Sequence, residues 1–477
     1  MSLKISSSDP KQLAPQENNL SCLMTATARH AAPHSAAAAH AVWIILFVTG
    51  IASSLAWNVF VTAQKYFQQR LAGTPYEECF VNWFSTGFFI TTLLSMLVRT
   101  MFIADRMPGP VKTLFSAEIV LLAVMLGHAV LTRMPEFHGV EFFKLTIASI
   151  VVVAMASTLM QDGLLRLVST FPPKYTQAVV SGQAMAGVVV ALSNVVILAA
   201  DGADDPSSWR PLFFLHALHA NADLSAFVYF VFVFLVVLLS TVAFLALTRM
   251  PLFRHYHHHS SSTKKDKPYL KQNGDPEARE KLLDDVLDSD EDDDKDLYLV
   301  DLLYKIRHHG AAVFLVFCIS VAVFPGVTSL LHSNTPEKGR FFRDLFVPVG
   351  FVIFNTCDLL GRWTAASVPI LSARRLLAAA VARVVFCPLF MFCNLQNQRH
   401  ETISLVVFKS DFFSTLFLIA CGYTNGLVST QALMQYPRVL TSSKEKELGG
   451  TLMFFLLSLG LCAGALLSFV LIAMLKP

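Results

Sequence analysis

Eleven long apolar runs, most of them separated by short polar segments, constrain the fold of this chain more than any other feature. A transmembrane helix needs about 20 mostly apolar residues to cross the hydrocarbon core of a bilayer. In lipid every backbone N–H and C=O needs a partner within the protein, and a helix supplies those partners internally. The sequence therefore predicts an all-α polytopic membrane protein with eleven transmembrane helices. The predicted spans are 41–69, 78–102, 111–134, 140–171, 174–201, 222–249, 307–332, 341–369, 372–394, 410–437 and 445–475.

The composition agrees with a membrane protein and argues against a bound metal. The chain is 54% hydrophobic and 15% charged, whereas soluble proteins are about 25% charged. The eight cysteines form no CxxC pair or other metal-ligand spacing, so neither a metal nor a cofactor is predicted. The histidines at 255 and 257–259 could bind a metal ion, but their low complexity favours a solvated, histidine-rich loop.

A long polar stretch between the sixth and seventh runs divides the chain into two parts. It passes from basic to acidic and has the composition of a disordered linker. The predicted organisation is a disordered cytoplasmic tail at 1–40, a six-helix bundle at 41–249, a disordered cytoplasmic loop at 250–306 and a five-helix bundle at 307–477.

The distribution of loop charges predicts the orientation in the membrane. Loops with Lys174 and Arg254 are basic and alternate with an acidic loop at 201–223. Because basic loops favour the cytoplasmic side, the N-terminus is predicted in the cytoplasm and the C-terminus outside the cell. Basic residues near Arg340 and Arg399 lie on the opposite side and weaken this pattern. The plasma membrane is the expected location of this integral membrane protein, with an internal organelle left open.

An acid and a base, Asp358 and Arg362, lie inside the predicted eighth span. Residues four apart share one face of a helix, so the two side chains can pair, and Asn355 lies on the same face one turn earlier. A charge at mid-membrane costs roughly 2.5–3.5 kcal/mol on insertion scales, and pairing lowers this cost without explaining why the charges are there. Such residues usually mark a functional site, and the alternative is a pair that only holds neighbouring helices together.

The predicted fourth span repeats this arrangement with Asp162 and Arg166. The adjacent Gln161 carries both donor and acceptor groups, which suit the edge of a nucleobase or an amide. The alternative for all three residues is interhelical hydrogen bonding without a ligand, which contributes roughly 0.6–2 kcal/mol in membranes.

Two other predicted spans carry polar or aromatic residues near their middle. Trp57 and Asn58 lie in the first span, where the indole ring can either stack on a planar ligand or pack in a core. Asn425 precedes Gly426 in the tenth span and forms a polar break that fits a ligand contact or a gate.

Glycines recur with other small residues at helical spacing in two predicted spans. Gly182 lies between Ala178 and Ala186 in the fifth span, and Gly460 and Gly464 lie in the last span. Since this spacing lets helices approach closely, the glycines are predicted at helix contacts.

Several catalytic and nucleotide-binding motifs are missing from the sequence. It contains no GxxxxGK[ST], GxSxG or HExxH pattern, which disfavours an ATP-driven pump and a conventional membrane hydrolase. The chain is therefore predicted to be a secondary transporter and not an enzyme. A receptor or scaffold acting through the 250–306 loop is the alternative, and no nucleic acid polymer is expected as a partner.

The motifs, taken in order, resemble those of the equilibrative nucleoside transporter family. Each is short, and the resemblance is strong because they follow one another in family order over most of the chain. The matching stretches are AWNVFVTA at 56–63, PKYTQ at 173–177 with SGQAMAG at 181–187, FNTCDLLGR at 354–362, ARVVF at 382–386 with Pro388 and Cys393-Asn394, and Asn425-Gly426 with Tyr436-Pro437.

The resemblance implies a fold similar to the major facilitator superfamily, with six helices facing five around a central cavity. It also implies transport of nucleosides or nucleobases by alternating access. In that scheme Trp57 lies against the ligand, Gln161 reads the base, and Asp358 with Arg362 contacts the ribose hydroxyls and helps to switch the two halves. The substrate-site candidates are Trp57, Asn58, Gln161, Asn355, Asp358, Arg362 and Asn425, and the coupling or gating candidates are Asp162, Arg166 and Arg383.

Two departures from the family pattern leave questions open. Ala56 replaces the proline that precedes the tryptophan, so the bend of the first helix is not predicted. Asp162 and Arg166 stand where animal members commonly have small or neutral residues. An acid in an apolar site can bind a proton, whereas a salt-bridged Asp162 stays ionised, so proton-coupled and facilitative transport both remain open.

Overall fold

The computed structural model of the protein consists almost entirely of long helices. It describes residues 36–77, 79–102, 108–200, 221–254, 256, 291–339, 341–396, 402 and 405–475. In these ranges ten helices are long and apolar enough to cross a membrane, which confirms the all-α membrane fold. The α-helices are α1 (Ala36–Thr62), α2 (Gln64–Arg70), α3 (Phe80–Phe102), α4 (Pro110–Leu131), α5 (Gly139–Ser169), α6 (Pro173–Ala200), α7 (Ala222–Arg249), α8 (Glu291–Val323), α9 (Phe346–Thr364), α10 (Ala373–Ala382), α11 (Phe386–Met391), α12 (Asp411–Gln435) and α13 (Ser443–Met474).

The predicted ninth span, 372–394, does not form a single long helix. It consists of α10, a 3-10 turn at Arg383–Val385 and α11, which follow one another without a gap. Pro388 has no N–H to donate to the carbonyl four residues earlier, so a regular α-helix is interrupted in this region. Because each piece is short, this segment is not among the ten long helices.

The ends of several predicted elements also differ from the structure. Helix α1 begins at Ala36, inside the predicted 1–40 tail, and its continuation towards residue 69 is broken at Ala63 before the short and largely polar α2. Helix α8 begins at Glu291, inside the predicted 250–306 loop. The sequence there is acidic, which favours the first turn of a helix because the N-terminal end of the helix dipole is positive. Residues 1–35 and 257–290 lie outside the described ranges.

The described helices form two groups that meet along two seams. Helices α1–α7 make up the N-terminal half and α8–α13 the C-terminal half. In the first seam α6 packs against α9, and in the second α3 and α5 pack against α13. These seams bring the polar residues of one half next to those of the other.

The predicted small-residue positions lie where helices cross within each half. A Cβ atom on Gly182 of α6 would overlap the carbonyl oxygen of Phe47 in α1. Gly460 and Gly464 of α13 face the backbone of α8, where a Cβ would meet the carbonyl oxygens of Phe314 and Cys318. Glycine is needed at these crossings because the neighbouring backbone occupies the space of a side chain.

Large apolar side chains cover much of the outer surface. Fully folded chains in water rarely expose broad apolar patches, whereas a lipid-facing surface is expected to be apolar. Examples in five helices that are 50% or more exposed are Ile90, Ile119, Leu239, Phe412 and Phe469. The outer surface therefore fits a protein embedded in a bilayer.

Candidate substrate site and contacts between the two halves

The predicted pair on α9 forms a direct ion pair. Nε of Arg362 lies 2.9 Å from Oδ2 of Asp358, one helical turn away. Both residues are buried, with 6% of Asp358 and 7% of Arg362 exposed. The pair is held by the i, i+4 geometry of one helix, as the sequence spacing predicts.

Asp358 is also joined to helices α12 and α8. Nδ2 of Asn425 donates to Oδ1 of Asp358 at 2.6 Å, and Oγ of Ser320 donates to Oδ1 of Asn425 at 2.6 Å. Arg383 in turn donates to Ser320. The structure thus brings three predicted site residues together and adds Ser320, whose position in the apolar C-terminal part of α8 carried no distinguishing sequence signal.

Two glycines allow α9 and α12 to approach closely enough for these bonds. A Cβ on Gly361 would overlap the carbonyl oxygen of Tyr423, and a Cβ on Gly426 would overlap that of Asp358. Since both glycines adjoin site residues, the helix crossing itself places Asn425 beside Asp358.

Arg362 also reaches across the first seam to the N-terminal half. Its Nη1 donates to the carbonyl oxygen of Val180 in α6 at 2.9 Å. In the opposite direction, Nε2 of Gln177 in α6 donates to the carbonyl oxygens of Arg362 at 2.8 Å and of Trp363 at 2.7 Å. These carbonyls belong to the last turn of α9, where no regular i, i+4 partner follows in the helix, and the Arg362 carbonyl also accepts from the backbone N–H of Ala365 at 3.3 Å. Gln177 was not among the predicted site residues, although it lies within the PKYTQ stretch.

Asn355 lies further along the same seam. Its Nδ2 donates to the carbonyl oxygen of Phe351 within α9 at 2.8 Å. Its Oδ1 faces Gly187 of α6 so closely that a Cβ there would overlap it. The structure therefore places Asn355 at the contact between the halves, where its half-buried amide is hydrogen-bonded to its own helix.

Asp162 has a different principal partner from the predicted one. Its Oδ2 lies 2.6 Å from Nε of Arg99 in α3 but 4.0 Å from Arg166. The closer contact is ionic and not an aligned hydrogen bond, since the Arg99 N–H does not point along the line to the oxygen. The predicted pair of Asp162 and Arg166 is therefore longer than the contact between Asp162 and Arg99, because Arg99 approaches the carboxylate from a neighbouring helix. Oγ1 of Thr451 in α13 donates to Oδ1 of Asp162 at 2.7 Å.

Arg166 contacts the second half through another acid. Its Nη2 lies 3.5 Å from Glu447 of α13, and its Nη1 donates to the carbonyl oxygen of Pro108 at 3.1 Å. The contacts of Asp162 with Thr451 and of Arg166 with Glu447 thus join the two halves at the second seam.

The remaining predicted substrate residues lie in the N-terminal half. Trp57 is half-buried and stacks on Phe88 with a centroid distance of 4.2 Å. Asn58 is also half-buried and donates to the carbonyl oxygen of Ser54 in its own helix at 2.9 Å. Nε2 of Gln161 donates to the carbonyl oxygen of Ser53 at 3.4 Å, so α5 and α1 are joined beside Trp57.

These N-terminal residues are separate from the Asp358 cluster. In the part of the chain that the structure describes, no hydrogen bond connects Trp57, Asn58 or Gln161 to Asp358 or Arg362. Among the described residues there is likewise no group of three or more His, Cys, Asp or Glu side chains that could hold a metal ion. The histidines at 255 and 257–259 lie outside those residues.

Comparison with known proteins decides the family. The model of the family described as "Nucleoside transporter" matches residues 147–473. The chain belongs to the nucleoside transporter family. It is 30% identical to equilibrative nucleoside transporter 2 of Homo sapiens over 91% of this chain and 98% of the relative. It is 27% identical to equilibrative nucleoside transporter 1 of Homo sapiens over 90% of this chain and 96% of the relative.

The fold of this nucleoside transporter family member is similar to that of a solved sugar symporter. The crystal structure of the E. coli fucose:proton symporter matches with a TM-score of 0.50 at 12% identity, covering 91% of this chain and 96% of that one. At this identity the match concerns the fold alone. It supports the predicted major-facilitator-like arrangement, and the family confirms the prediction of a transporter and not an enzyme.

Proposed function

We propose that this protein carries nucleosides across a membrane by alternating access, with a substrate site formed by both halves. The observation that supports this most directly is the double attachment of Arg362. It pairs with Asp358 in its own half and donates to Val180 in the other half. A ligand that binds Asp358 and Arg362 therefore acts on a side chain that also holds the two halves together.

The chemistry of the two halves fits the two parts of a nucleoside. Asp358 is an acceptor for the vicinal hydroxyls of a sugar, and Arg362 is a donor to its oxygens. On the other half, Trp57 provides an aromatic face for a base and Gln161 provides an amide that can both donate and accept. Asn58, Asn355 and Asn425 act as supporting residues. Nucleobases lack the sugar, so this arrangement favours nucleosides as substrates.

The polar contacts of both seams lie towards one end of the molecule. Gln177 follows the 170–172 connection and Arg362 precedes the 365–372 connection, while Glu447 follows the 436–442 connection. By the positive-inside rule these connections are cytoplasmic. We therefore assign this conformation as closed towards the cytoplasm. Opening on that side would break the bonds from Gln177 and Arg362 across the first seam and from Thr451 across the second.

Facilitated transport is the form of the proposal that the ion pairs favour. Asp162, the acid considered for proton coupling, contacts the Arg99 guanidinium and accepts from Thr451. Both oxygens of this carboxylate therefore already have partners supplied by the protein. Proton-linked transport is the competing form, and an imposed pH gradient tests it. Concentration of substrate by that gradient alone would contradict facilitated transport.

We place the protein in the plasma membrane, with the N-terminus in the cytoplasm and the C-terminus outside the cell. The support for this orientation is the alternation of basic and acidic loops in the sequence. Labelling of cysteines introduced at each terminus of the full chain in intact cells would test both assignments, because an impermeant reagent should reach only the C-terminus.

Uptake of radiolabelled uridine or adenosine into liposomes containing the pure protein tests the proposed function. The unaltered protein should equilibrate the label, and Asp358→Asn and Arg362→Lys should each abolish uptake. The exposed ion pair of Arg343 and Asp344, with a distance of 3.1 Å, provides the control. Asp344→Asn and Arg343→Lys should transport normally. Normal uptake by both Asp358→Asn and Arg362→Lys would refute the proposed site.

A further inference from the structure

A line of polar side chains inside the C-terminal half runs from Arg383 to Asp358. Nη2 of Arg383 donates to Oγ of Ser320. Ser320 donates to Oδ1 of Asn425, and Nδ2 of Asn425 donates to Oδ1 of Asp358, each at 2.6 Å. Residues from the 3-10 turn, α8, α12 and α9 are thus joined in one sequence of hydrogen bonds, which we call the relay.

The donor at one end of the relay, Arg383, and the acceptor at the other, the Asp358 carboxylate, together set the direction of every bond between them. A guanidinium only donates hydrogen bonds, so Ser320 accepts from it and uses its own proton for Asn425. The amide oxygen of Asn425 accepts this hydrogen bond from Ser320. The amide nitrogen therefore faces Asp358 and donates to it. An asparagine amide can otherwise be turned over with little change in shape. The relay therefore selects one of two orientations.

The orientation of Asn425 determines what Asp358 can accept. A reversed amide would place its oxygen against the carboxylate, and the two would repel. In the observed orientation Oδ1 of Asp358 accepts from Asn425 and Oδ2 accepts from Arg362. Each carboxylate oxygen has a second lone-pair direction, and these directions suit the hydroxyl donors of a sugar.

The residues of the relay are buried, so the loss of one hydrogen bond is not easily compensated by water. Arg383 is 2% exposed, Ser320 4% and Asn425 5%. Within the described residues Arg383 has no carboxylate at salt-bridge distance. Its other acceptors there are the hydroxyl of Thr424 and both the carbonyl oxygen and Sγ of Cys421. Burying a cation without an acid is unfavourable for stability, which indicates a role beyond packing.

We propose that Arg383 and Ser320 are positioning residues of the substrate site, which orient the Asn425 amide and thereby hold Asp358 ready to accept the vicinal hydroxyls of a sugar. This inference rests on the proposed transport of nucleosides. Neither residue has to touch the ligand. The relay sets selectivity for a hydroxylated sugar over a deoxygenated one, because only the former donates to Asp358.

Competing uptake of uridine and 2′,3′-dideoxyuridine into liposomes containing the full chain tests the relay. The unaltered protein should prefer uridine by about tenfold or more, since the analogue lacks both hydroxyl donors to a charged acceptor. Ser320→Ala should reduce that preference by roughly threefold to tenfold, mainly through a higher KM for uridine. Ser320→Thr keeps a hydroxyl and should retain the preference.

A matched control removes a hydroxyl of similar burial outside the relay. Ser458 is 1% exposed, lies in the same half and donates to the carbonyl oxygen of Phe454 in its own helix. Ser458→Ala should leave the ratio of uridine to dideoxyuridine uptake unchanged. A merely structural role for Ser320 would instead change both substrates equally in Ser320→Ala.

A second pair of variants keeps the test decisive if Ser320→Ala does not fold. Arg383→Gln can accept as well as donate and should lower the preference for uridine, whereas Arg383→Lys still only donates and should retain more of it. A folded Ser320→Ala protein with unchanged preference, or equal preferences in the two Arg383 variants, would overturn the relay. If the unaltered chain moves no nucleoside, both the proposed function and this inference are wrong.

Discussion

Arg362 of the C-terminal half donates a hydrogen bond of 2.9 Å to the carbonyl oxygen of Val180 in the N-terminal half. The same guanidinium pairs with Asp358, so one side chain belongs both to the candidate substrate site and to the contact between the halves. Ligand binding at Asp358 would change the partners of Arg362 and hence the strength of that contact. The proposed substrate site and the contact between the halves therefore share one residue, Arg362.

Gln177→Ala should shift the protein away from the conformation closed at this end. The change removes two hydrogen bonds from Gln177 to the last turn of α9, each contributing about 0.5–1.5 kcal/mol. Reaction of a cysteine introduced at the buried Val180 with an impermeant maleimide should therefore become several-fold faster. Gln68→Ala, at an exposed glutamine of α2, is the control. Equal reaction rates in both variants would show that Gln177 does not hold the seam closed.

Asp162→Asn should strongly destabilise the protein. The carboxylate is fully buried against Arg99, and removing one partner of a buried ion pair typically costs about 3–5 kcal/mol. The thermal unfolding temperature in detergent should fall accordingly. Replacing both partners, with Arg99→Met and Asp162→Leu, should recover much of the loss because no charge is left unpaired.

The exposed ion pair of Glu141 and Lys144 provides the control for the predicted loss of stability in Asp162→Asn. Its atoms lie 2.7 Å apart, but both side chains are mostly exposed. Lys144→Met should leave the unfolding temperature nearly unchanged, since exposed pairs contribute little. A similar decrease for Lys144→Met and Asp162→Asn would contradict the importance of the buried contact.

Gly182→Ala should lower the yield of folded protein. The added Cβ would overlap the carbonyl oxygen of Phe47, a backbone atom that cannot move independently, and overpacking costs about 1–3 kcal/mol. Gly127 lies within α4 with no atom in the way of a Cβ. Gly127→Ala should be tolerated, and size-exclusion profiles after mild heating would distinguish the two variants. Equal profiles would mean that the α1–α6 crossing has more room than the structure shows.

Trp57→Ala should raise the KM for uridine by roughly tenfold, because an aromatic surface for the base is lost. Trp57→Phe retains a ring and should have a smaller effect. Trp43 on the same helix, which stacks on Phe47 at 5.2 Å, is the control, and Trp43→Ala should leave the KM near that of the unaltered protein. An unchanged KM in Trp57→Ala would remove Trp57 from the substrate site.

Interactions within one helix were predictable from the sequence, whereas interactions between helices were only partly so. The Asp358–Arg362 pair follows from four-residue spacing, and its distance of 2.9 Å bears this out. The same spacing in Asp162 and Arg166 produces a distance of 4.0 Å, because Arg99 takes the closer position. Spacing shows that two charges can meet, but it does not show which other charges compete.

The sequence by itself determined that this is a polytopic helical membrane protein, because long apolar runs in lipid must satisfy their backbone hydrogen bonds internally. Its ordered motifs also indicated the family. Only the tertiary structure decided that Gln177 holds the end of α9 and that Ser320 connects Arg383 to Asn425. Those contacts join residues far apart in the chain, and they depend on how each helix is rotated and how closely glycines such as Gly426 let the backbones approach.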